Sequence, residues 1–148
     1  MVIEDLKDVS TGELICADSA KRLTAFIIDF IIISIINSLY IIFVTFFVNL
    51  TLEITDPYAI AYIILILINI LYFGYPESTY RQATFGKKIV GIKVVTVNNT
   101  RISFKEGIFR SVLKLFSIVS LIGILIIFTN EEKQGLHDII AKTVVVEN

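Results

Sequence analysis

The stretch KRLTAFIIDFIIISII, residues 21–36, carries one carboxylate, Asp29, inside a run apolar enough to cross a bilayer. A charged Asp at mid-helix in lipid costs about 2.5–3.5 kcal/mol on insertion scales, so it is retained only where something offsets that cost. Arg22 lies seven residues earlier. That is about two turns and roughly 10 Å nearer the helix start, which puts both side chains on one face. A long Arg reaches along the helix while its head stays near water, but direct contact within one helix is not expected. Cations from another segment are better partners for Asp29. Arg110 and Lys114 in GIFRSVLKLFS share a helix face at i, i+4 spacing and enter lipid from the same side. Two chemistries fit such an acid. A buried ion pair would lock helix packing, and an ion or proton site would serve a transport path.

Asp138, in GLHDII, is the second acidic position, just after the third apolar block. Desolvation near the headgroups raises an Asp pKa and a neighbouring Arg lowers it. Asp138 is therefore either a pairing or helix-terminal carboxylate, or the second half of a proton or cation relay. His137 is the only histidine and has no companions at metal-ligand spacing, so no metal site is expected. One His at a membrane edge supports no Ser-His-Asp or Cys-His set, and no cofactor motif is present. TFGKK lacks the spacing of a phosphate-binding loop and reads as a turn with two cytoplasmic anchor lysines. The NLT and NNT tripeptides match the glycosylation pattern only weakly. Cys16 is the single cysteine, which excludes an internal disulfide and a two-cysteine redox pair.

The elements that must position these residues follow from composition. Hydrophobic residues make up 55% of the 148 and charged residues 18%, against roughly 25% charged in soluble domains. The excess falls into three blocks, the pattern of a multi-span membrane protein. The first 20 residues are polar, with five acidic residues and no apolar core, which is unlike a secretory signal. They read as a tail, and residues 21–148 as one domain. Segment one covers residues 23–47. A short connector, residues 49–57, leads to segment two, residues 58–75, which Pro76 is expected to end. Asn37 and Asn69 are placed to hydrogen-bond across this antiparallel helical hairpin. Residues 77–106 are polar. Within them, residues 89–97 and 100–104 around the NNT turn predict a β-hairpin, to which TVVVE at the C-terminus could add a strand. Segment three, residues 107–128, begins amphipathic and ends apolar.

Lys and Arg beside the spans set orientation. The tail has Lys7, Lys21 and Arg22, the first connector has none, and the second connector has Arg81, Lys87, Lys88, Lys93, Arg101 and Lys105. The N-terminus and the β-hairpin are thus expected in the cytoplasm, in a cell-membrane protein. A full third span would put the C-terminus outside. A re-entrant segment three, bending near residues 120–123, would return it to the cytoplasm and let TVVV pair with IKVV. The second arrangement is favoured because the tail strand needs a partner.

This pattern resembles the RDD family of small integral membrane proteins, named for one Arg and two Asp. Arg22 opens the first helix, Asp29 sits within it, and Asp138 stands in LHD after the third apolar segment. ATFGKKIVGIKVV resembles the family's central block and KQGLHDIIAKTVVV its closing block, so the likeness covers residues 17–146. It departs from the family in NEEKQ, which has one Lys where several basic residues are common. The resemblance implies a membrane domain in which Arg22, Asp29 and Asp138 form the characteristic charged set. It also implies one of two roles: transport of ions or small ligands, such as cation/proton exchange by an oligomer, or a non-enzymatic regulatory or accessory subunit of another membrane protein. The expected fold class is mainly α, with two spanning helices, a third spanning or re-entrant helix and a small cytoplasmic β-hairpin. The expected surroundings are the lipid bilayer, with further copies of the chain or a membrane-protein partner. A net charge of −1 gives no reason to expect nucleic acid.

Overall fold

The computed structural model describes residues 16–50, 57–119 and 135–148. The chain is mainly helical. Helix α1 is Ser19–Leu50, α2 Pro57–Ser78, α3 Phe85–Val90, α4 Phe104–Val119 and α5 Leu136–Ile140; strand β1 is Ile92–Thr96 and β2 Thr143–Glu147.

Two helices are long and apolar enough to cross a membrane, over Ser19–Val48 and Tyr58–Ser78. Only 6% and 11% of their most apolar windows are buried within the chain, so they are not core helices of a water-soluble globule. Ile42, Phe46, Tyr62 and Ile63, for example, are all more than half exposed. β-Branched residues are no obstacle here, because in lipid the backbone must satisfy its own hydrogen bonds. The two helices run antiparallel. Tyr40 donates to the Ala61 carbonyl at 3.1 Å, Asn37 and Asn69 exchange side-chain bonds at 3.4 and 3.2 Å, and Tyr72 donates to Asp29 at 2.9 Å.

Helix α2 does not stop before Pro76; it runs through it to Ser78. A proline in the last turn of a helix lacks one N–H donor and crowds the carbonyl four residues earlier, a disturbance confined here to the helix end. Here the last carbonyls find hydroxyl donors instead: Ser78 Oγ to Tyr75 O at 2.8 Å and Thr79 Oγ1 to Pro76 O at 2.7 Å. The added turn carries Glu77 on the helix.

The expected β-hairpin is replaced by a different pairing. The NNT turn forms, with Asn99 at φ 57° and its N–H bonded to Thr96 O at 2.9 Å. However, the sequence after it enters α4 rather than a strand. In SFKE, Ser103 N–H donates to Glu106 Oε2 at 2.7 Å and Glu106 N–H to Ser103 Oγ at 3.3 Å. This reciprocal cap starts a helix at residue 104 and removes the second strand. Residues 89 and 90 are likewise helical, since α3 continues until Gly91 turns left-handed at φ 76°. Strand β1 pairs instead with the C-terminal strand β2, antiparallel, with Val94 opposite Val145. Both outer edges are covered. Cys16 bridges to Val146 beyond β2, and the Gln82 carbonyl accepts from Val94 N at 2.7 Å beyond β1. Val94 and Val145 pack with Ala17, Ala25, Ile92 and Ile102 on one face, and Val95, Val144 and Val146 cluster on the other. Burial on both faces is why VVV needs no polar alternation.

The C-terminal strand thus lies beside the start of α1. The apolar second half of segment three, residues 120–128, and with it the choice between a spanning and a re-entrant course, lies outside the described residues.

A buried charge cluster at one end of the helical hairpin

Asp29 is 1% exposed, yet the partners expected for it do not reach it. Its Oδ1 accepts from Gly86 N–H at 2.8 Å and from Tyr72 Oη at 2.9 Å; its Oδ2 accepts from Thr84 Oγ1 at 2.5 Å. All three donors are neutral. The expectation that Arg110 and Lys114 are the charge partners of Asp29 is corrected for direct contact: neither bonds the carboxylate, because α3 is the element packed on α1 at that level, and Lys114 acts on Asp29 only as a nearby charge. Thr84 caps α3, and its hydroxyl is aimed at the carboxylate. Gly86 permits the approach: a Cβ there would lie 2.3 Å from Ala25 O and 2.9 Å from Asp29 Cγ. Three hydrogen bonds into a carboxylate satisfy the buried acid without a bonded cation among the described residues.

Arg110 instead centres a separate network. Its guanidinium binds Glu77 through one terminal nitrogen and Asp138 through the other, while Nε lies 2.9 Å from Asp138 Oδ1 and 3.1 Å from Thr143 Oγ1. Arg110, Glu77 and Asp138 are at most 2% exposed. Arg22 reaches the other oxygen of Asp138 at 3.3 Å and also donates to the Ala17 and Val145 carbonyls, at 3.2 and 3.0 Å. Lys87 Nζ donates to Glu77 at 2.6 Å. The resulting chain, Arg22–Asp138–Arg110–Glu77–Lys87, alternates in sign, and each of the five described helices supplies one member. Lys114 is buried near it, but its ammonium sits 3.8 Å from the Phe73 ring centre and 5.9 Å from that of Phe26, a cation–π arrangement.

Glycines set the helix spacing that closes this network. A Cβ on Gly107 would fall 2.7 Å from Gly74 O, so α4 crosses α2 at a contact that only glycine allows. Arg110, one turn further along α4, is thereby held against Glu77 in the last turn of α2.

Protonation follows from burial and neighbours. Burial alone would raise the Asp138 pKa, but Arg110, then His137 and Arg22, hold it well below the usual carboxylate range. Burial pulls Lys87 below the ordinary lysine value, with Glu77 opposing. Burial lowers His137 to about 4 against the opposing charge of Asp138, so it is neutral at pH 7. Its Nδ1 is buried without a hydrogen-bond partner among the described residues. An arginine does not release its proton, so a chain centred on Arg110 is a set of fixed charges rather than a proton wire.

Of the residues singled out from the sequence, Arg22, Asp138 and Arg110 meet in one network. Asp29 belongs to a second one, and Lys114 borders the first. Glu77 and Lys87 were missed. Glu77 directly follows Pro76, which seemed to end the helix and so placed Glu77 in a polar loop. Lys87 read as an exposed anchor; it is 7% exposed. The signals that could have found them are a carboxylate abutting an apolar block and the Thr-x-x-Lys spacing of a capped turn.

No solved structure matches the chain. The uncharacterized protein YxaI of Bacillus subtilis (strain 168) is 45% identical over 85 residues, 57% of this chain and 56% of YxaI. The uncharacterized membrane protein YteJ of the same organism is 29% identical over 149 aligned positions, 96% of this chain and 89% of YteJ. The chain thus spans little more than half the length of the first of these relatives. The RDD family model matches residues 16–142, from the Cys16 bridge through Arg22, Asp29 and Asp138 to the residue before β2, and the chain belongs to the RDD family.

Proposed function

We propose that the protein is a non-enzymatic accessory module of the cell membrane: a two-span anchor that holds a rigid cap, built from α3, β1, β2 and the start of α4, at the cytoplasmic face for a membrane-protein partner. The observation that supports this reading is the alternating chain from Arg22 to Lys87. Its carboxylates are committed to protein partners, and its geometry fixes the cap to both spans instead of opening a path between them. Lys and Arg placement orients the cap inward. Pairing of β2 with β1 and with Cys16 joins the C-terminal strand to the cap beside the start of α1. The exposed apolar faces of α1 and α2 are left for lipid and partner. A photo-crosslinker at Leu39 or Ile66, both more than half exposed, tests this in native membranes. One dominant adduct with a different membrane protein is expected. Adducts only with lipid or with further copies of the chain refute it.

A second reading is ion or proton transport by an oligomer. It rests on Asp29, a carboxylate in a spanning helix with neutral donors, two of which, Tyr72 and Thr84, line an open cleft. Proteoliposomes separate the readings. Cation-dependent proton flux above that of protein-free vesicles, lost in Asp29→Asn with the fold intact, supports transport. Flux equal to the protein-free level supports the accessory role.

A further inference from the structure

We propose that the cleft beyond the end of α2 binds the headgroup of an anionic phospholipid. The cleft has a volume of about 830 Å³ and is lined by Arg81, Lys88 and Arg101 together with Tyr75, Phe85 and Phe104. No carboxylate is among its described lining residues. Arg101 is held by a 2.7 Å bond from Nε to Ser78 O, and Arg81 by a 2.8 Å bond from Nε to Tyr80 Oη, with its guanidinium 5.3 Å from the Tyr80 ring centre. Both bonds use Nε, which leaves the terminal nitrogens of each guanidinium for the planar, two-point contact that phosphate favours. Lys88 is exposed beside them.

Position decides between a soluble phosphate and a lipid. The second span ends at Ser78, and the lining runs from Tyr72 within that span to residues 79–88 past its end, so the cleft straddles the membrane boundary. Tyr75, Tyr80, Phe85 and Phe104 are 59%, 75%, 58% and 51% exposed. Exposed rings at this level are headgroup anchors. A free phosphate would use the three cations and leave the rings in water. A phospholipid uses both, with its phosphate on the cations and the upper acyl chain along Tyr75, Phe85 and Phe104.

The test is the thermal midpoint of the purified full chain in neutral detergent, titrated with phosphatidylglycerol, phosphatidylcholine or inorganic phosphate. Phosphatidylglycerol is expected to raise the midpoint saturably, and the other two to leave it unchanged. Lys88→Gln should weaken the apparent phosphatidylglycerol affinity about fivefold, and adding Arg81→Gln about fivefold again, from the roughly 1 kcal/mol each cation contributes beside anionic lipid. Lys88 is exposed and its removal should not alter the lipid-free midpoint, so that single variant stands if the double variant does not fold. Lys93→Gln, outside the cleft, should leave the affinity unchanged. An equal response to inorganic phosphate, an unchanged affinity in Lys88→Gln, or an equal loss in Lys93→Gln would each overturn the assignment.

Discussion

Consider replacing Arg110 with Met, which keeps most of the side-chain stem and removes the charge. Arg110 is 2% exposed and bridges Glu77 and Asp138, themselves 1% and 2% exposed. Without it, Glu77 keeps its ion pair with Lys87, and Asp138 keeps Arg22 at 3.3 Å. Stranding a charge in a buried network costs about 3–5 kcal/mol, or roughly two to four orders of magnitude in the folded-to-unfolded ratio. The contrasting variant is Lys21→Met. The Lys21–Glu147 pair is close, at 2.7 Å, but its side chains are 43% and 37% exposed. Water and salt screen such a pair to about 0–1 kcal/mol. Arg110→Met should therefore cost several kcal/mol more than Lys21→Met, because its partners are buried and those of Lys21 are not. Adding Asp138→Leu to Arg110→Met should recover part of the loss, since one stranded carboxylate goes with it. The assay is reversible unfolding in mixed micelles of rising sodium dodecyl sulfate fraction, followed by far-ultraviolet circular dichroism. Equal costs below about 1 kcal/mol for the two single variants, or a double variant as costly as the sum of its parts, would refute the argument.

Three further outcomes follow. Asp29→Asn keeps an acceptor for Gly86 and Tyr72 but turns an N–H₂ toward Thr84 Oγ1, now 2.5 Å from Oδ2; about 1–3 kcal/mol should be lost in the same assay, and Thr84→Val in that background should add only the loss of the α3 cap, about 1 kcal/mol. Gly86→Ala forces α3 off α1, because the new Cβ would lie 2.3 Å from a backbone oxygen; hydrogen exchange should show faster opening of both elements, and native protection in the variant would contradict the packing. Stability should also fall with acid. His137 drops from an ordinary 6.5 to about 4 on folding, so between those values the unfolded chain binds a proton that the native chain refuses. Its contribution is complete above pH 6.5 and declines as pH falls toward 4, by up to about 3 kcal/mol. Asp138, whose pKa is also depressed by folding, extends the decline to lower pH as the unfolded carboxylate protonates first. The thermal midpoint measured from pH 8 to 4 checks this, and His137→Gln should flatten the profile between pH 6.5 and 4.

The two long apolar helices, their antiparallel pairing and the Asn37–Asn69 bond could be read from residue order alone. Transfer of an apolar helix into lipid depends on one segment at a time, and a short connector leaves little choice of direction. The family's Arg and two Asp were legible for the same local reason, as charges in or beside apolar blocks. Which charge meets which was not. Asp29 and Thr84 are 55 residues apart, Arg22 and Asp138 116, and Arg110 and Glu77 33. Several cations and carboxylates permit many pairings of similar Coulomb energy, and a hydroxyl or amide serves a carboxylate as well as a distant cation does. The selection is steric. Gly86 brings α3 against Ala25, so Asp29 meets Thr84 rather than a lysine, and Gly107 brings α4 against Gly74, so Arg110 meets Glu77. Local chemistry put acids and bases at the membrane; the close approach of backbones at two glycine contacts decided their partners.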